Sequence, residues 1–302
     1  MRKFLAIATA ALFFVSAAVG PPASGHVPDT TIPNSGGCPQ LDRWNLSIAA
    51  PLSRQWNTSL PGPQTLLTSA PSGTAQLDEI QGVISDSFAA WSGVTGTTFN
   101  QSAHPGYLAP IVQVTAANSC TDDAEDNIDG VNTICFNQSS MGFTSGVLAF
   151  TRVITANAPG VSVGSSAVSA FAGQILDADT LVRSDGQSAF ATPSALATPH
   201  AAGAYDLETI MTHEVGHWFG FDHSAVWRSI MFPFAPPPGQ YLGDRPTASA
   251  PDGPLADDDR TGIRMLYPDP DDVENVGSLH GKVLPANPFA LATLPQPSPA
   301  AR

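Results

Sequence analysis

Residues 213–223 of this 302-residue chain read HEVGHWFGFDH, and no other segment constrains the fold and chemistry as strongly. His213 and His217 are four residues apart, so on a helix they share one face, with Cβ atoms about 5–6 Å apart. That separation lets both imidazoles reach one zinc ion at about 2.0–2.1 Å. Gly220 permits a sharp turn, which lets His223 approach the same ion from outside the helix. Three protein ligands leave a fourth position open for water, as in catalytic zinc sites.

Glu214 directly follows the first of these histidines and is the candidate general base. Zinc lowers the pKa of a bound water to about 7. A carboxylate beside the ion can accept a proton from that water and pass it to a departing amine. The segment therefore predicts amide hydrolysis without a covalent enzyme intermediate, with one catalytic Zn²⁺ on His213, His217 and His223.

Hydrophobic spacing predicts three helices. Residues 76–91 place apolar side chains at spacings of three and four, which is typical of a helix packed on a sheet. A second helix carries the histidines, with Asp206 as its N-cap and Gly220 at its end. A third helix begins at the acidic residue Asp257 and stops before Pro268.

Short runs of β-type residues between turn-rich segments predict the strands. These runs are residues 44–48, 111–115, 131–136, 146–155 and 175–182. We expect residues 156–174 and 185–204, which are rich in small residues, to form surface loops. A strand, a helix and several further strands before the next helix indicate an α+β fold, with the sheet on one side.

The histidine segment resembles the signature of the metzincin zinc peptidases, and the chain is similar to their matrixin branch, the matrix-metalloproteinase-like peptidases. Ser224 follows the last histidine, and Met231 is followed two residues later by Pro233, as in the Met-turn of that family. Residues 258–267 resemble its closing helix, and residues 86–91 resemble its first helix. The resemblance spans roughly residues 42–268.

This resemblance implies a metzincin-type catalytic domain. Such a domain has a twisted, mostly parallel sheet, two main helices, an active-site cleft, a Met-turn and a small C-terminal subdomain with a third helix. Met231 would form a hydrophobic floor beneath the three histidines and would not be a ligand. The implied function is a zinc-dependent endopeptidase that acts on proteins or peptides. The alternative is a zinc-containing extracellular binding module with little or no proteolytic activity, although the intact Glu214 and Met231 disfavour it.

The resemblance also implies a substrate cleft. Residues 146–153 would form its edge strand and hold an extended peptide by adding it as another strand. Leu148, Ala149 and Phe150 would then contact the substrate, and Pro233 and Phe234 would line the pocket beside the scissile bond. Animal matrixins carry a second, structural zinc on a loop rich in histidine and aspartate. This sequence has no such histidine cluster, so we expect one zinc only.

Five acidic residues between Cys120 and Cys135 form a dense acidic loop: Asp122, Asp123, Glu125, Asp126 and Asp129. Calcium prefers such oxygen donors, but the spacing does not match an EF-hand. A Ca²⁺ site and a solvated acidic loop are both open interpretations.

The first 25 residues are typical of a signal peptide. A basic start at Arg2 and Lys3 precedes an apolar run over residues 4–19 and small residues at 23–25. We therefore expect a secreted, extracellular protein, with a retained membrane anchor as the alternative. Later segments are too short and too polar to span a bilayer, so no membrane contact is expected after signal removal.

Export permits a disulfide, and the chain has three cysteines. A bond between Cys120 and Cys135 would close the acidic loop and leave Cys38 free, but pairing of Cys38 with either of them is also open. Cys38 lacks the arginine and glycine neighbours of the cysteine that keeps matrixins latent.

Charge and composition limit the partners. The net charge is −14 and the chain has only two lysines, so a phosphate backbone would be repelled and nucleic-acid binding is not expected. We expect a monomer. After the signal peptide, residues 26–41 are predicted to be an extended segment and residues 42–268 the catalytic domain. Residues 269–302 are first acidic and then proline-rich, and are predicted to be disordered or a linker, with one strand at 276–283.

Overall fold

The structure is a computed structural model that describes residues 6–11, 28–33, 38–47, 51–61, 65–70, 72–115, 129–136, 143–160, 170–242 and 254–271. Its strands are β1 (Ala6–Ala11), β2 (Thr30–Thr31), β3 (Gln40–Leu41), β4 (Leu52–Asn57), β5 (Leu66–Leu67), β6 (Leu108–Val114), β7 (Thr133–Cys135), β8 (Ala149–Thr155), β9 (Ile175–Val182), β10 (Phe190–Ala191) and β11 (Tyr205–Asp206). Its helices are α1 (Thr74–Ser92), α2 (Pro193–Leu196), α3 (Leu207–Trp218) and α4 (Asp257–Leu266), with a 3-10 turn at Pro199–Ala201.

Six strands form the main sheet, in the order β1-β8-β9-β7-β4-β6. Strands β9, β7, β4 and β6 are parallel, whereas β8 is antiparallel to β9, and β1 is antiparallel to β8. Three short parallel strands form a second sheet, in the order β11-β10-β5, and β2 pairs with β3. The prediction of an α+β fold with a mostly parallel sheet is confirmed.

Helices α1 and α3 pack against each other and enclose the main hydrophobic core. The indole N–H of Trp91 in α1 donates to the carbonyl of Thr212 in α3 at 2.9 Å. The rings of Phe88 and Trp218 meet edge to face, with centroids 5.2 Å apart. Helix α3 also packs on β8 and β9, and all twelve of its residues are buried. Its polar side chains are therefore held inside the core, where their positions are fixed by packing.

The predicted helices are all present, and each begins and ends close to the expected residue. The run at 76–91 lies within α1, and the acidic start at Asp257 begins α4. The carboxylate of Asp206 caps α3 by accepting from the backbone N–H of Thr209 at 3.1 Å. Four of the five predicted strands correspond to β6, β7, β8 and β9.

The strand predicted at residues 44–48 is wrong. Residues 44–47 form no strand, and the first strand after them is β4. The backbone N–H of Trp44 donates to the hydroxyl of Tyr267, and its indole N–H donates to the carbonyl of Trp218. The side chain of Asn45 accepts from the backbone N–H of Ser47, which favours a turn. Long-range and local hydrogen bonds thus replace a strand ladder here.

The prediction of a surface loop over residues 185–204 is only partly right. This segment contains β10, α2 and the 3-10 turn. Thr192 caps α2 through its side chain. Ala191, Ala195, Ala201 and Ala204 form a small buried cluster. The alanines and proline that suggested a loop instead allow close packing and start short helices.

Strand β1 lies at the edge of the main sheet where the sequence analysis expected an extended substrate to bind. Residues 6–11 pair with Phe150 to Thr155 of β8 in antiparallel register. These residues belong to the predicted signal peptide. Their backbone pairs with the N–H and C=O groups of β8 that an open edge would expose. Phe150 to Thr155 of the edge that was expected to be free are therefore paired in this structure.

The chain divides into two compact units, residues 1–269 and 270–302. Of the second unit, only residues 270 and 271 are described, so the predicted strand at 276–283 and the proline-rich tail lie outside the described residues. Among the described residues, no helix combines the length and apolarity that crossing a bilayer requires.

Strand β9 is buried along its whole length although it contains two aspartates. Asp177 is 1% exposed, and neither of its carboxylate oxygens accepts a hydrogen bond from a described residue. Asp179 accepts from the backbone N–H of Thr133 at 2.8 Å. Burial, aided by repulsion from Asp179 and Asp129, raises the pKa of Asp177 well above its usual range, although Arg152 opposes the shift.

Replacement of Asp177 by asparagine should therefore stabilise the protein at pH 8. Because the native state holds this proton to a higher pH than the unfolded chain does, the contribution of Asp177 to the free energy of unfolding is highest at acidic pH. It falls as the pH rises above about 4, the usual pKa of a carboxyl group. The variant should gain at least about 1–3 kcal/mol at pH 8, because asparagine needs no proton on folding and each unit of pKa difference between the two states is worth about 1.4 kcal/mol. It should also flatten this pH dependence, which urea unfolding at pH 5 and pH 8 would measure.

Asp185 offers a control of opposite sign. Its carboxylate pairs with Arg183 at 2.7 Å, and this partner lowers its pKa. Asp185→Asn should lose stability at neutral pH and none at pH 2. If Asp177→Asn also loses stability at pH 8, the carboxylate of Asp177 is ionised and held by a favourable partner.

Candidate metal centre

Three imidazoles converge at the C-terminal half of α3. His213 and His217 lie within the helix and are 1% exposed each, and His223 follows the turn at Gly220. One ligand atom from each ring lies within 4.8 Å of the other two. The structure thus brings together the three histidines that the sequence singled out.

Hydrogen bonds to carbonyl oxygens define the tautomer of two of these rings. Nδ1 of His213 lies 2.7 Å from the carbonyl oxygen of Ile230, and Nδ1 of His217 lies 2.6 Å from that of Phe221. A carbonyl oxygen can only accept, so each Nδ1 carries the proton. Each Nε2 consequently presents a lone pair to the shared point between the rings.

The three rings fit a zinc ion. The Nε2 atoms of His213 and His217 lie 3.1 Å apart, and with both protons on Nδ1 these two lone pairs face each other. Nε2 of His223 is buried and has no hydrogen-bond partner among the described residues. A cation bound by all three Nε2 atoms would remove the repulsion between the two lone pairs and give Nε2 of His223 a partner. A hydrogen bond from the other ring nitrogen to a carbonyl is also the usual support for a metal-binding histidine.

Burial holds the rings in the form that binds metals. It lowers the pKa of His213 to about 3, with a further contribution from His223. It also lowers the pKa of His217 and His223. All three are therefore neutral at physiological pH, as metal ligation requires.

Glu214 directly follows His213 in α3 and is fully buried. Its Oε2 accepts a hydrogen bond from the hydroxyl of Thr151 in β8 at 2.8 Å, whereas Oε1 has no partner among the described residues. Burial raises the pKa of Glu214 to about 8, although the Thr151 hydroxyl opposes this shift. A buried carboxylate with one free oxygen is suited to accept and release a proton.

Met231 lies under α3, and the close approach requires a glycine in the helix. Met231 is fully buried. A Cβ atom added at Gly216 would lie 2.7 Å from Cζ2 of Trp91 and closer still to Sδ of Met231. Gly216, between the ligand candidates His213 and His217, thus sets the distance between α3 and the segment around Met231.

Replacement of Gly216 by alanine should destabilise the protein by about 1–3 kcal/mol, because overpacking would force Met231 and Trp91 out of position. It should also weaken zinc binding, since the helix cannot move away without moving His213 and His217. The measurements are the urea midpoint and the zinc affinity against a competing chelator.

Gly82 in α1 is the matched control, because a Cβ there meets no atom within 4 Å. Gly82→Ala should be neutral or stabilise by about 0.5–1 kcal/mol. Equal effects of the two substitutions would show that helix propensity, and not the contact with Met231, sets the cost at Gly216.

Helix α4 supports the metal centre from outside. Asp259 at its N-terminus is fully buried, and its carboxylate accepts from the hydroxyl of Ser229 and, at 2.9 Å, from the backbone N–H of Ile230. The carbonyl of Ile230 in turn accepts from His213. Ser224 donates to Asp258 at 2.6 Å. Sequence reasoning assigned these aspartates only to the start of the helix, although three consecutive acids exceed what a helix dipole needs.

Gly220 provides the turn that was predicted for it, with φ of 95°. A side chain there would also collide with the carbonyl oxygen of Asp42. The carbonyl of Gly220 accepts from the backbone N–H of Asp29 at 2.9 Å, and Pro28 forms an isolated antiparallel bridge with Phe221. Pro28 and Asp29 of the segment 26–41, which was predicted to be extended, and Asp42 after it therefore pack against the turn that leads to His223.

The predicted substrate-binding residues lie on β8, directly before it and after Met231. Leu148 and Ala149 are buried, and Phe150 is half-buried with its ring 5.5 Å from that of Phe143. The ring of Phe234 is 37% exposed and lies 5.5 Å from the ring of Phe232. Pro233 is half-buried. Their contact with substrate stays a prediction.

Two further predictions fall partly outside the described residues. Cys135 is buried and disulfide-bonded, and Cys38 is free and exposed. Cys120, the expected partner, lies outside the described residues, as do the acidic residues 122–126. Asp129 is described, and its carboxylate accepts from the backbone N–H of Val131 at 2.7 Å. The disulfide assignment and the calcium site stay predictions.

Comparison with known proteins agrees with this geometry. A sequence model of the matrixin peptidases matches residues 65–268, which is more than half of the chain. Metalloendoproteinase 1 of Glycine max is 41% identical over 64 residues. That match covers 21% of this chain and 17% of the soybean protein, so the chain spans about a sixth of the length of the relative it matches.

Proposed function

The chain belongs to the matrixin family, and from this premise we propose that it is a secreted zinc-dependent endopeptidase. We assign His213, His217 and His223 as the zinc ligands, Glu214 as the general base and Met231 as the floor of the site. One catalytic zinc ion per chain is proposed, held by the group of three histidines.

One observation carries the proposal. Two Nδ1 protons are committed to backbone carbonyls, so the Nε2 lone pairs of His213 and His217 face each other at 3.1 Å. Without a cation the two lone pairs repel each other, whereas with one they both serve as ligands. A structural zinc would fill a fourth protein ligand position, whereas the described residues bring three ligand atoms together, which leaves room for water.

In the proposed reaction, the three histidines bind the metal and Glu214 transfers the proton. When bound, zinc would lower the pKa of a water molecule and polarise the scissile carbonyl. The three neutral imidazoles would hold the ion, and the carbonyls of Ile230 and Phe221 keep two of the rings in the ligating tautomer. Glu214 would accept the proton of the attacking water on Oε1 and transfer it to the nitrogen of the departing amine. No residue of the enzyme forms a covalent bond with the substrate.

The substrate is proposed to be an extended protein or peptide chain laid along β8, with Leu148, Ala149, Phe150, Pro233 and Phe234 lining the cleft. Because β1 covers β8 from Phe150 to Thr155, we propose that removal of residues 1–25 on export frees this edge. The mature domain is proposed to act as a monomer, over residues 42–268, without nucleic-acid or membrane contact. Calcium at the acidic loop before Cys135 remains a secondary proposal.

Metal removal tests the function directly. The purified exported protein should cleave casein or a quenched peptide library between about pH 7 and 8, and should contain one zinc per chain. A zinc chelator should reduce cleavage by at least about 100-fold, because the activated water is lost, and added zinc should restore it. Magnesium should not restore it, since three imidazoles select zinc over a cation that prefers oxygen ligands.

A protein that carries one zinc per chain and cleaves no member of the library would contradict the endopeptidase proposal. It would favour the binding-module alternative. Cleavage that persists after the zinc has been removed and verified absent would exclude the metal from the reaction.

A further inference from the structure

Thr151 lies at the junction between the main sheet and the candidate general base. It is fully buried in β8, and its hydroxyl lies 2.8 Å from Oε2 of Glu214 and 3.1 Å from the carbonyl oxygen of the same residue. On its other side lies the hydroxyl of Thr180 in β9, at 2.9 Å. Two adjacent strands thus place two hydroxyl groups in line behind Glu214.

The chemistry of these groups gives the hydrogen bonds a direction. Thr151 has one hydroxyl proton, and both nearby oxygens of Glu214 are acceptors when the carboxylate is ionised. Thr151 therefore donates towards Glu214, where a bond to the charged Oε2 is the stronger one. Its own oxygen is then free to accept the proton of Thr180, which is also buried. The result is a directed chain from Thr180 through Thr151 to Oε2.

This chain distinguishes the two carboxylate oxygens. Oε2 is occupied by Thr151, and Oε1 has no partner among the described residues. We propose that Thr151, supported by Thr180, is a positioning residue that fixes the side chain of Glu214 so that Oε1 is the oxygen that takes the proton of the attacking water. This inference rests on the proposed function, since it assigns a task within the same reaction.

A merely structural role would have different consequences. A buried hydroxyl needs a partner, and the backbone carbonyl of Glu214 alone would satisfy that of Thr151. The bond to Oε2 matters for a different reason, because a fully buried carboxylate without a donor loses both its orientation and part of its solvation. Loss of this bond should therefore slow the reaction step without weakening the binding of substrate.

The test compares three variants of the zinc-loaded protein. Thr151→Val removes the hydroxyl at nearly constant shape, and Thr151→Ser keeps it. Thr31→Val is the control, because it breaks another buried bond between two threonines, Thr31 to Thr155 at 2.6 Å, on a residue outside the site. Measurements are kcat and KM on a quenched peptide, zinc content, and the Kd of a peptide hydroxamate, whose zinc-binding group shares a proton with the neighbouring base.

Thr151→Val should lower kcat by about 10–100-fold, as expected for one hydrogen bond to a charged group, with KM changed by less than about 2-fold. The hydroxamate should bind about 10-fold more weakly. Zinc content should be unchanged in all three variants. Thr151→Ser should recover activity to within about 3-fold of wild type, and Thr31→Val should match wild type in kcat.

Three outcomes would overturn the role of Thr151. These are a fully active Thr151→Val, a Thr151→Ser as impaired as the valine variant, or an equal loss of kcat in Thr31→Val. If wild-type protein cleaves no peptide, the endopeptidase proposal fails, but the hydroxamate still decides the positioning role. Equal hydroxamate affinity in wild type and Thr151→Val would then refute it.

Discussion

Glu214→Gln is expected to lower kcat/KM for peptide cleavage by about 10²–10⁴-fold, the usual contribution of general acid–base catalysis. Glutamine has nearly the shape of glutamate and can still contact Thr151, but its amide cannot take a proton from water or return one to an amine. His213, His217 and His223 are untouched, so zinc should remain at one per chain. Single-turnover cleavage of a quenched peptide and metal analysis on the same sample measure both results.

Glu208 is the control for this substitution, because it is the other glutamate of α3 and is also buried, at 6% exposure. It lies in the first turn of the helix, away from the three histidines. Glu208→Gln should keep kcat/KM within about 5-fold, since Glu208 belongs to the first turn of α3 and not to the group of three histidines or to the proton transfer. Equal losses in the two variants would mean that α3 as a whole, and not the proton transfer by Glu214, is sensitive to the loss of charge.

The parts of this site that were predicted from sequence are those set by local spacing. His213 and His217 share a helical face because they are four residues apart, and Gly220 turns the chain because it takes positive φ. These geometries depend on few neighbours, so they can be derived before the fold is known. The ends of α3 follow from Asp206 and Gly220 for the same reason, and those of α4 follow from its acidic first turn and Pro268.

The parts that could not be predicted depend on residues far apart in the chain. Thr151 meets Glu214 across 63 positions, and Asp259 meets Ile230 across 29. Nothing in the local pattern of β8 distinguishes Thr151 from any other threonine of a strand. The failed strand at residues 44–48 has the same origin, because its polar groups bond to Trp218 and Tyr267, which only the fold brings near.

His217→Ala is expected to lower zinc affinity by more than about 100-fold, because loss of an outer-shell partner alone costs roughly 10–100-fold. The variant keeps two imidazoles, but the lone pair that faces His213 at 3.1 Å is gone. Peptide cleavage should be lost together with the zinc. In wild type, the unfolding temperature should rise with zinc concentration, because the ion binds only the folded state. In the variant, this dependence should disappear over the same concentration range.

His200→Ala is the control for His217→Ala, because His200 is exposed and lies outside the group of three histidines. It should keep one zinc per chain and the full rise of the unfolding temperature with zinc. Chelator-treated wild type is the proper reference for stability, because removal of a buried ring also leaves a cavity that costs stability without any metal. If zinc raises the unfolding temperature of His217→Ala as much as that of wild type, the ion is not bound at this position. The facing lone pairs of His213 and His217 would then need another explanation, such as a proton shared between the rings.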